Sequence, residues 1–253
     1  MRQGLLKTTW LVPVMILVFI SFAHAGEGTP SAEKILQYAD EIRAPQTDYM
    51  VTARIISRKP GKKDKTAVYE IFMKGRDRTV IKTLQPEIDR GTSLLMLRYD
   101  LWVFLRTISK PLRISLQQRL FGEAANGDIA RANFSGDYVP ELKGIVNIKE
   151  RQFYVLDLTA VNDRVTYHRV KLWVMKDTFY PLKGEFYAFS GKLLKICYYT
   201  KYKKILGKMR PTRLVLDNPL VKGQRTIIDY YNMKRASFPD RIFTKNYMKK
   251  LKY

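Results

Sequence analysis

A mainly β domain opened by a single helix is the fold class this sequence predicts, and three observations carry it. From residue 49 onward, apolar and polar side chains alternate with period two in short runs. Gly and Pro punctuate those runs at roughly ten- to twelve-residue spacing, the pattern of an antiparallel meander or barrel. No linker-like or low-complexity stretch and no internal repeat divides the 253 residues, so they read as one structural unit behind a leader.

The leader is residues 1–25. Arg2 and Lys7 form a positive start, residues 10–23 are an apolar run broken by Pro13 and Ser21, and Ala23-His24-Ala25 is a small-x-small cleavage pattern. The competing reading is an uncleaved anchor helix, but the run is short of the roughly 20 apolar residues a span needs. No Cys lies near the cleavage site, so no lipidated N-terminus is expected. The expected division is a signal peptide at 1–25 and one domain at 26–253, the latter starting at Gly26 with a net charge of +21.

One helix opens the domain. Ser31 can cap it, Ile35, Leu36, Ala39 and Ile42 recur at helical spacing, and Pro45 stops it. The period then changes to two. Strands are expected at 49–56, 67–74 and 79–84, with a turn at Lys59-Pro60-Gly61-Lys62-Lys63. A further pair at 94–98 and 101–105 meets at Tyr99-Asp100. Residues 106–142 break the rhythm with Gly122, Gly127 and Gly136 and read as a long excursion carrying one or two short helices. Strands return at 145–149, 153–160, 165–175, 182–189, 193–202, 212–216 and 226–233.

Several strands are apolar on both faces, Leu101-Trp102-Val103-Phe104-Leu105 most clearly. A water-facing antiparallel sheet alternates cleanly. Two apolar faces need two coverings: the helix for one, and for the other a second sheet, a membrane or a lipid-sized cavity. A thick core is the plainer alternative.

Charge and chemistry narrow the function. There are 46 Lys and Arg against 23 Asp and Glu, a formal +23. That charge invites an anionic partner, and export of the chain turns the choice away from nucleic acid toward a membrane surface. Cys197 is the lone cysteine, and cleavage leaves His168 as the lone histidine, set in an alternating segment without a nucleophile elbow. Neither a phosphate loop nor metal-ligand spacing is present, so no catalytic residue, metal or cofactor is assigned and the chain is not expected to be an enzyme. Between residues 192 and 213 stand eight basic residues and no acid, interleaved with Tyr198, Tyr199 and Tyr202. Lys201, Lys203, Lys204, Lys208 and Arg210 are the candidates for docking on anionic lipid or a membrane partner, against the alternative of a solvated strand face. Arg241, Lys245, Lys249, Lys250 and Lys252 form a second basic cluster.

The segment from Asp89-Arg90-Gly91 through Leu94-Leu95-Met96-Leu97 to Leu101-Trp102-Val103-Phe104 resembles the outer-membrane lipoprotein-sorting proteins, the LolA-like periplasmic carriers and their broader relatives. Lys74-Gly75-Arg76-Asp77-Arg78, Gly127-Asp128-Ile129, Asn133-Phe134-Ser135 and Leu172-Trp173-Val174 match that pattern too, as do Tyr180-Pro181 and Lys195. Leu105-Arg106 departs from it where a Pro often follows the Trp segment.

The resemblance implies an unclosed antiparallel half-barrel whose concave face is covered by the N-terminal helix and short central helices. It implies a hollow that binds lipoprotein acyl chains or other lipids, in a periplasmic carrier that moves them from an inner-membrane exporter to an outer-membrane acceptor. Phe72, Leu95, Leu97, Trp102, Phe104 and Trp173 are the expected lining, with Arg76 or Arg78 as the clasp that holds the lid. The alternative is an envelope sensor or scaffold of the same fold that binds a protein or polysaccharide through its basic face.

Overall fold

The computed structural model describes residues 28–131 and 133–250. The expected signal peptide at 1–25, Lys252 and the side chain of Lys250 lie outside the described residues. The chain runs α1 (Ala32–Arg43), β1 (Tyr49–Arg58), β2 (Lys65–Lys74), β3 (Arg78–Gln85), β4 (Ser93–Leu97) and β5 (Asp100–Phe104). The middle holds β6 (Leu112–Ile114), β7 (Arg119–Phe121), β8 (Ala124–Ala125) and α2 (Asn126–Ala130). Then come β9 (Tyr138–Ile148), β10 (Arg151–Ala160), β11 (Arg169–Met175), β12 (Pro181–Tyr187), β13 (Leu193–Ile205), β14 (Lys208–Asp217), β15 (Arg225–Arg235) and α3 (Lys245–Lys250).

Thirteen strands form one antiparallel sheet in the order β6-β5-β4-β3-β2-β1-β15-β14-β13-β12-β11-β10-β9. The order is a meander interrupted once, where β1 pairs with β15 and joins the two halves of the chain. The sheet is not closed into a barrel: β6 and β9 remain as its edges, and β9 carries Pro140 and the exposed charges of Glu141 and Lys143, which discourage edge pairing. The excursion at 106–142 is as long as expected but not free of strand. Its first piece, β6, extends the sheet, β7 and β8 form a small hairpin, and β9 begins seven residues before the expected 145.

Ser31 caps α1, its hydroxyl accepting from the Lys34 amide at 3.3 Å. The helix lays Ile35, Leu36 and Ala39 against one face of the sheet, across β9, β12 and β14. Ile129 and Ala130 of α2 and Phe134 complete that layer over Ile55, Ile71, Leu156, Leu172, Leu216 and Ile228.

The other face is also covered. Phe72, Val80, Leu95 and Trp102 face one another across β2, β3, β4 and β5 in direct register, forming one row. Over it lies the C-terminal segment, a short 3-10 turn (Asp240–Phe243) followed by α3, which inserts Phe238, Ile242, Phe243, Tyr247 and Met248. Phe243 and Met248 are buried. Lys74 Nζ and Arg78 Nη1 each donate to Asp240 Oδ1 at 2.7 Å and fix the start of this strap. The second covering that the two-faced strands required is therefore the chain's own tail, which the sequence read only as a basic cluster.

Candidate functional site

Side chains alternate across a strand, so the residues that face α1 are the neighbours of those expected. Leu94, Met96 and Leu101 join the layer under the helices, whereas Leu95, Leu97, Trp102 and Phe104 join Phe72 on the opposite face beneath the strap. Trp173 also lies on the outer face, packed with Phe153 and Val155 and covered by Lys183, whose Nζ is 3.9 Å from the ring. All six expected lining residues thus sit outside the hollow. The period-two alternation holds, but apolar residues at both parities leave the choice of face open in the sequence.

On the helix side of the sheet a wide groove of about 480 Å³ lies against Tyr69, Leu94, Val103, Ile114 and Asn126. Between α1, α2 and the sheet lie two small cavities, of about 40 and 50 Å³. They meet at Arg43, Asp128, Tyr199 and Leu214 and differ in character. The smaller is polar, with Arg131, Asp137, Tyr138, Thr166 and Tyr167 in its wall. The larger adds a mostly apolar wall of Val51, Ile71, Met73, Ile129, Tyr230 and Met233 to the shared Arg43 and Asp128.

An ionic scaffold holds the lid over these cavities. Asp40, 1% exposed, points inward from α1. Its Oδ2 accepts from the amides of Phe134 and Ser135 at 2.8 and 2.7 Å, and its Oδ1 accepts from Arg43 Nη1 at 2.9 Å. The Arg43 guanidinium stacks 3.7 Å from the centre of the Phe134 ring, and its Nε is buried without a partner. Burial works against the charge on Arg43, but Tyr199 and Asp40 more than offset it and raise its pKa. Lys195, buried on β13, pairs with Asp128, which also accepts from the Tyr167 hydroxyl at 3.0 Å. Arg131 pairs with Asp137 in the same layer.

The expected clasps fall elsewhere. Arg76 Nη2 donates to Gln46 Oε1 at 3.0 Å, just past α1, and touches the lid only through that exposed amide. Arg78 faces the other side and holds Asp240 of the strap. The residue that grips α1 is Arg210 on β14. It is 4% exposed, and its Nη1 donates to the carbonyls of Glu41 at 2.6 Å and Ile42 at 3.3 Å. These are free carbonyls of the helix C-terminus, where a cation is favoured. Lys208 pairs with the Glu41 side chain beside it. Arg210 and Lys208, expected on a docking surface, are thus engaged within the molecule, while Lys201, Lys203 and Lys204 stay exposed. Parity was the available signal: Arg210 is in phase with buried Thr212 and Leu216, and Lys195 with Cys197 and Tyr199.

Among the described residues, no group of three His, Cys, Asp or Glu is placed to hold a metal ion, and no helix is long and apolar enough to cross a membrane. Cys197 lies in the wall of the polar cavity, and burial pushes its thiol up to about 12. His168 stands just ahead of β11 rather than within a strand, exposed, with its ring 4.8 Å from that of Phe189.

No curated protein matches this chain. A family model described as an uncharacterized protein matches residues 75–250. The chain is similar to a LolA superfamily protein from Nitrosomonas europaea, at 44% identity over 87% of this chain and 100% of the other, with a TM-score of 0.84. It shares its fold with a DUF1329 family protein from Desulfovibrio piger, at 24% identity over 86% of this chain and 97% of the other, TM-score 0.75. It also shares it with a putative outer membrane lipoprotein-sorting protein domain from Vibrio parahaemolyticus, at 22% identity over 86% of this chain and 98% of the other, TM-score 0.73. The open antiparallel sheet with α1 across its concave face, together with these likenesses, places the chain in the LolA superfamily.

Proposed function

We propose that this protein is a non-catalytic periplasmic carrier, exported by residues 1–25 and cleaved, that takes an acyl chain of a lipid or lipoprotein into the hollow under α1. In this reading it moves its cargo from an inner-membrane exporter to an outer-membrane acceptor. One observation carries the proposal: the last turn of α1, beyond the apolar contacts of Ile35, Leu36 and Ala39, is gripped through its free carbonyls by Arg210 beside the two cavities that Arg43 lines. Such a lid can swing away and return. Membership of the LolA superfamily supports the same reading.

The cavities as they stand are far below the roughly 300–1,000 Å³ of a ligand pocket. In this reading cargo enters when α1 and the 133–136 segment, tied together by Asp40, lift together. Burying an acyl chain yields about 0.8 kcal/mol per methylene, which a chain of ordinary length turns into enough to displace several hydrogen bonds. The small volume also favours a second reading, a sensor or scaffold that binds a protein or polysaccharide on its surface and never opens.

Native mass spectrometry of the purified chain from Gly26 onward, with a fluorescent fatty-acid titration, separates the two. The carrier reading expects bound lipid, lost in Leu214→Trp, which fills the shared wall of the two cavities, and retained in Trp102→Asp on the outer face. Protein that is always lipid-free and ignores the probe overturns it in favour of the scaffold.

A further inference from the structure

In an antiparallel meander, alternate connections lie at the same end. The loops 59–64, 86–92, 105–111, 161–168, 188–192 and 218–224 all cluster at one end of this sheet. Neighbouring loops in that row stand two strands, roughly 10 Å, apart. Pro60 lies beside Gly223, which ties the β1–β2 turn to the β14–β15 loop in the centre of the row.

Six of the twelve large apolar side chains exposed among the described residues lie there, including the three most exposed of any loop. Ile88 is 88% exposed, Phe189 86% and Leu220 64%, with Ile108, Val161 and Val221 also exposed. Each sits in one of those six loops, so they form a fringe along a single edge. The same loops hold nine Lys and Arg against four Asp and Glu. The turns at the opposite end, 75–77, 98–99, 149–150, 176–180 and 206–207, hold four against three and no large exposed apolar residue. Lys203, Lys204 and Lys208 flank that end, where the neighbouring Ile205 and Leu206 are only half-exposed. Single exposed apolar residues need no explanation, but six on one rim, interleaved with excess positive charge, do.

At the rim a surface groove and the hollow share a wall. A groove of about 520 Å³ opens between Phe189, Leu194, His168 and Gln117, and its inner wall is Val165, Thr166 and Tyr167. The opposite side of those three residues bounds the polar cavity at Arg43.

We propose that this loop rim is the docking surface for an anionic phospholipid bilayer. Phe189, Leu220, Val221 and Ile88 enter the headgroup boundary, while Lys59, Lys62, Lys63, Lys192 and Lys222 meet the lipid phosphates. The partner is assigned by chemistry: separate apolar tips at the ends of a curved sheet, spaced by lysines, suit a soft surface of negative charge. The proposal rests on the carrier reading and gives it a direction, since it sets the groove and the wall of the hollow against the membrane. It moves docking from the Lys201–Lys204 face to the other end of the sheet.

Flotation of the chain from Gly26 onward with synthetic vesicles tests it, using phosphatidylcholine alone and phosphatidylcholine with roughly a third phosphatidylglycerol. The expected result is binding to the anionic vesicles, weakened at least tenfold in Phe189→Ser/Leu220→Ser/Val221→Ser and unchanged in Lys203→Glu/Lys204→Glu. The substituted tips are exposed, and an unaltered melting temperature checks that the triple variant folds. Equal binding by the triple variant, or loss in the lysine variant instead, overturns the proposal. So does binding to native membranes alone that trypsin treatment of those membranes abolishes, which assigns the rim to a protein. Fatty-acid uptake from solution is measured alongside. Uptake without vesicle binding sinks the rim and keeps the carrier, whereas vesicle binding through the rim without uptake sinks the carrier and keeps the rim.

Discussion

Arg210 Nη1 lies 2.6 Å from the main-chain oxygen of Glu41, so a buried guanidinium on the sheet grips the last turn of the helix that closes the hollow. The contact is long-range in sequence and reaches backbone rather than a side chain, which makes it insensitive to the identity of residue 41. Burial pulls the Arg210 pKa down, with Tyr49 and Glu41 opposing, yet an arginine remains charged. The bond is therefore a permanent charge-assisted one. It ties down the end of α1 that leads into the 44–48 connection.

Arg210→Ala is expected to loosen α1 without unfolding the sheet. Losing hydrogen bonds from a charged donor costs about 1.5–3 kcal/mol, and tenfold in an opening equilibrium is about 1.4 kcal/mol. Cys197 reports on this opening, because it is 2% exposed and its thiol is held at about 12, inert in the closed state. Maleimide labelling of Cys197 near neutral pH should run at least tenfold faster in the variant. An unchanged labelling rate, in a variant that has lost stability, would show that Arg210 supports the fold but not the lid.

Asp40→Asn probes the tie between α1 and the 133–136 segment. The carboxylate serves two amides with one oxygen and Arg43 with the other. A carboxamide offers one acceptor, and its NH2 must face either a guanidinium or two N–H donors. Breaking a buried ion pair by removing one partner costs about 3–5 kcal/mol. Urea unfolding should show a loss in this range, and Asp40→Asn/Arg43→Met should lose less than the single change, because no uncompensated charge remains. Strict additivity of the two changes would argue against a coupled pair.

Which parts of this molecule were legible in the sequence follows from what side-chain patterns encode. The helix at Ala32–Arg43 was readable because Ser31, an apolar stripe and Pro45 act within a few residues of one another. The late strands were readable because Gly and Pro turns bound them. The inner and outer faces of β4 and β5 were not, since Leu94-Leu95-Met96-Leu97 is apolar at both parities and only the distant strap decides which pair faces it. The strap is not legible in the sequence because Phe238, Phe243, Tyr247 and Met248 are dispersed among Arg241, Lys245 and Lys249 and lack a regular period. Arg210 and Lys195 were hidden in a count of positive charges, which carries no direction. Their phase relative to buried Thr212 and Cys197 does carry one.

Gly127 faces the wall between the outer groove and the polar cavity. A Cβ added there would sink into the Thr166 hydroxyl and lie 2.8 and 2.9 Å from Thr166 Cγ2 and Cβ. Gly127→Ala must therefore push the 165–167 wall away from α2. Overpacking of this kind costs about 1–3 kcal/mol. Amide hydrogen exchange at 165–167 should accelerate, and Thr166→Ala in the same chain should recover part of the lost urea midpoint. No change at 165–167 would mean that α2, rather than the wall, gives way.

The strap has its own pH dependence. Hydrogen bonds from Lys74 and Arg78 hold the Asp240 carboxyl below its ordinary value of 3.8. The sign follows from that direction. A carboxylate whose pKa is lowered when docked contributes to docking above the undocked value, and the contribution fades as pH falls through the docked one. Release should begin below about pH 4, the ordinary carboxylate range. Trp102 lies in the row beneath the strap, with Lys245 Nζ 4.0 Å from its ring, so a red shift of its emission in a Trp173→Phe background reports release. Because the carboxylate is exposed, molar salt at neutral pH should weaken the same contact. Asp240→Asn should abolish the acid step and leave Trp102 partly shifted at neutral pH. An acid transition identical in Asp240→Asn and the parent would mean that other groups release the strap.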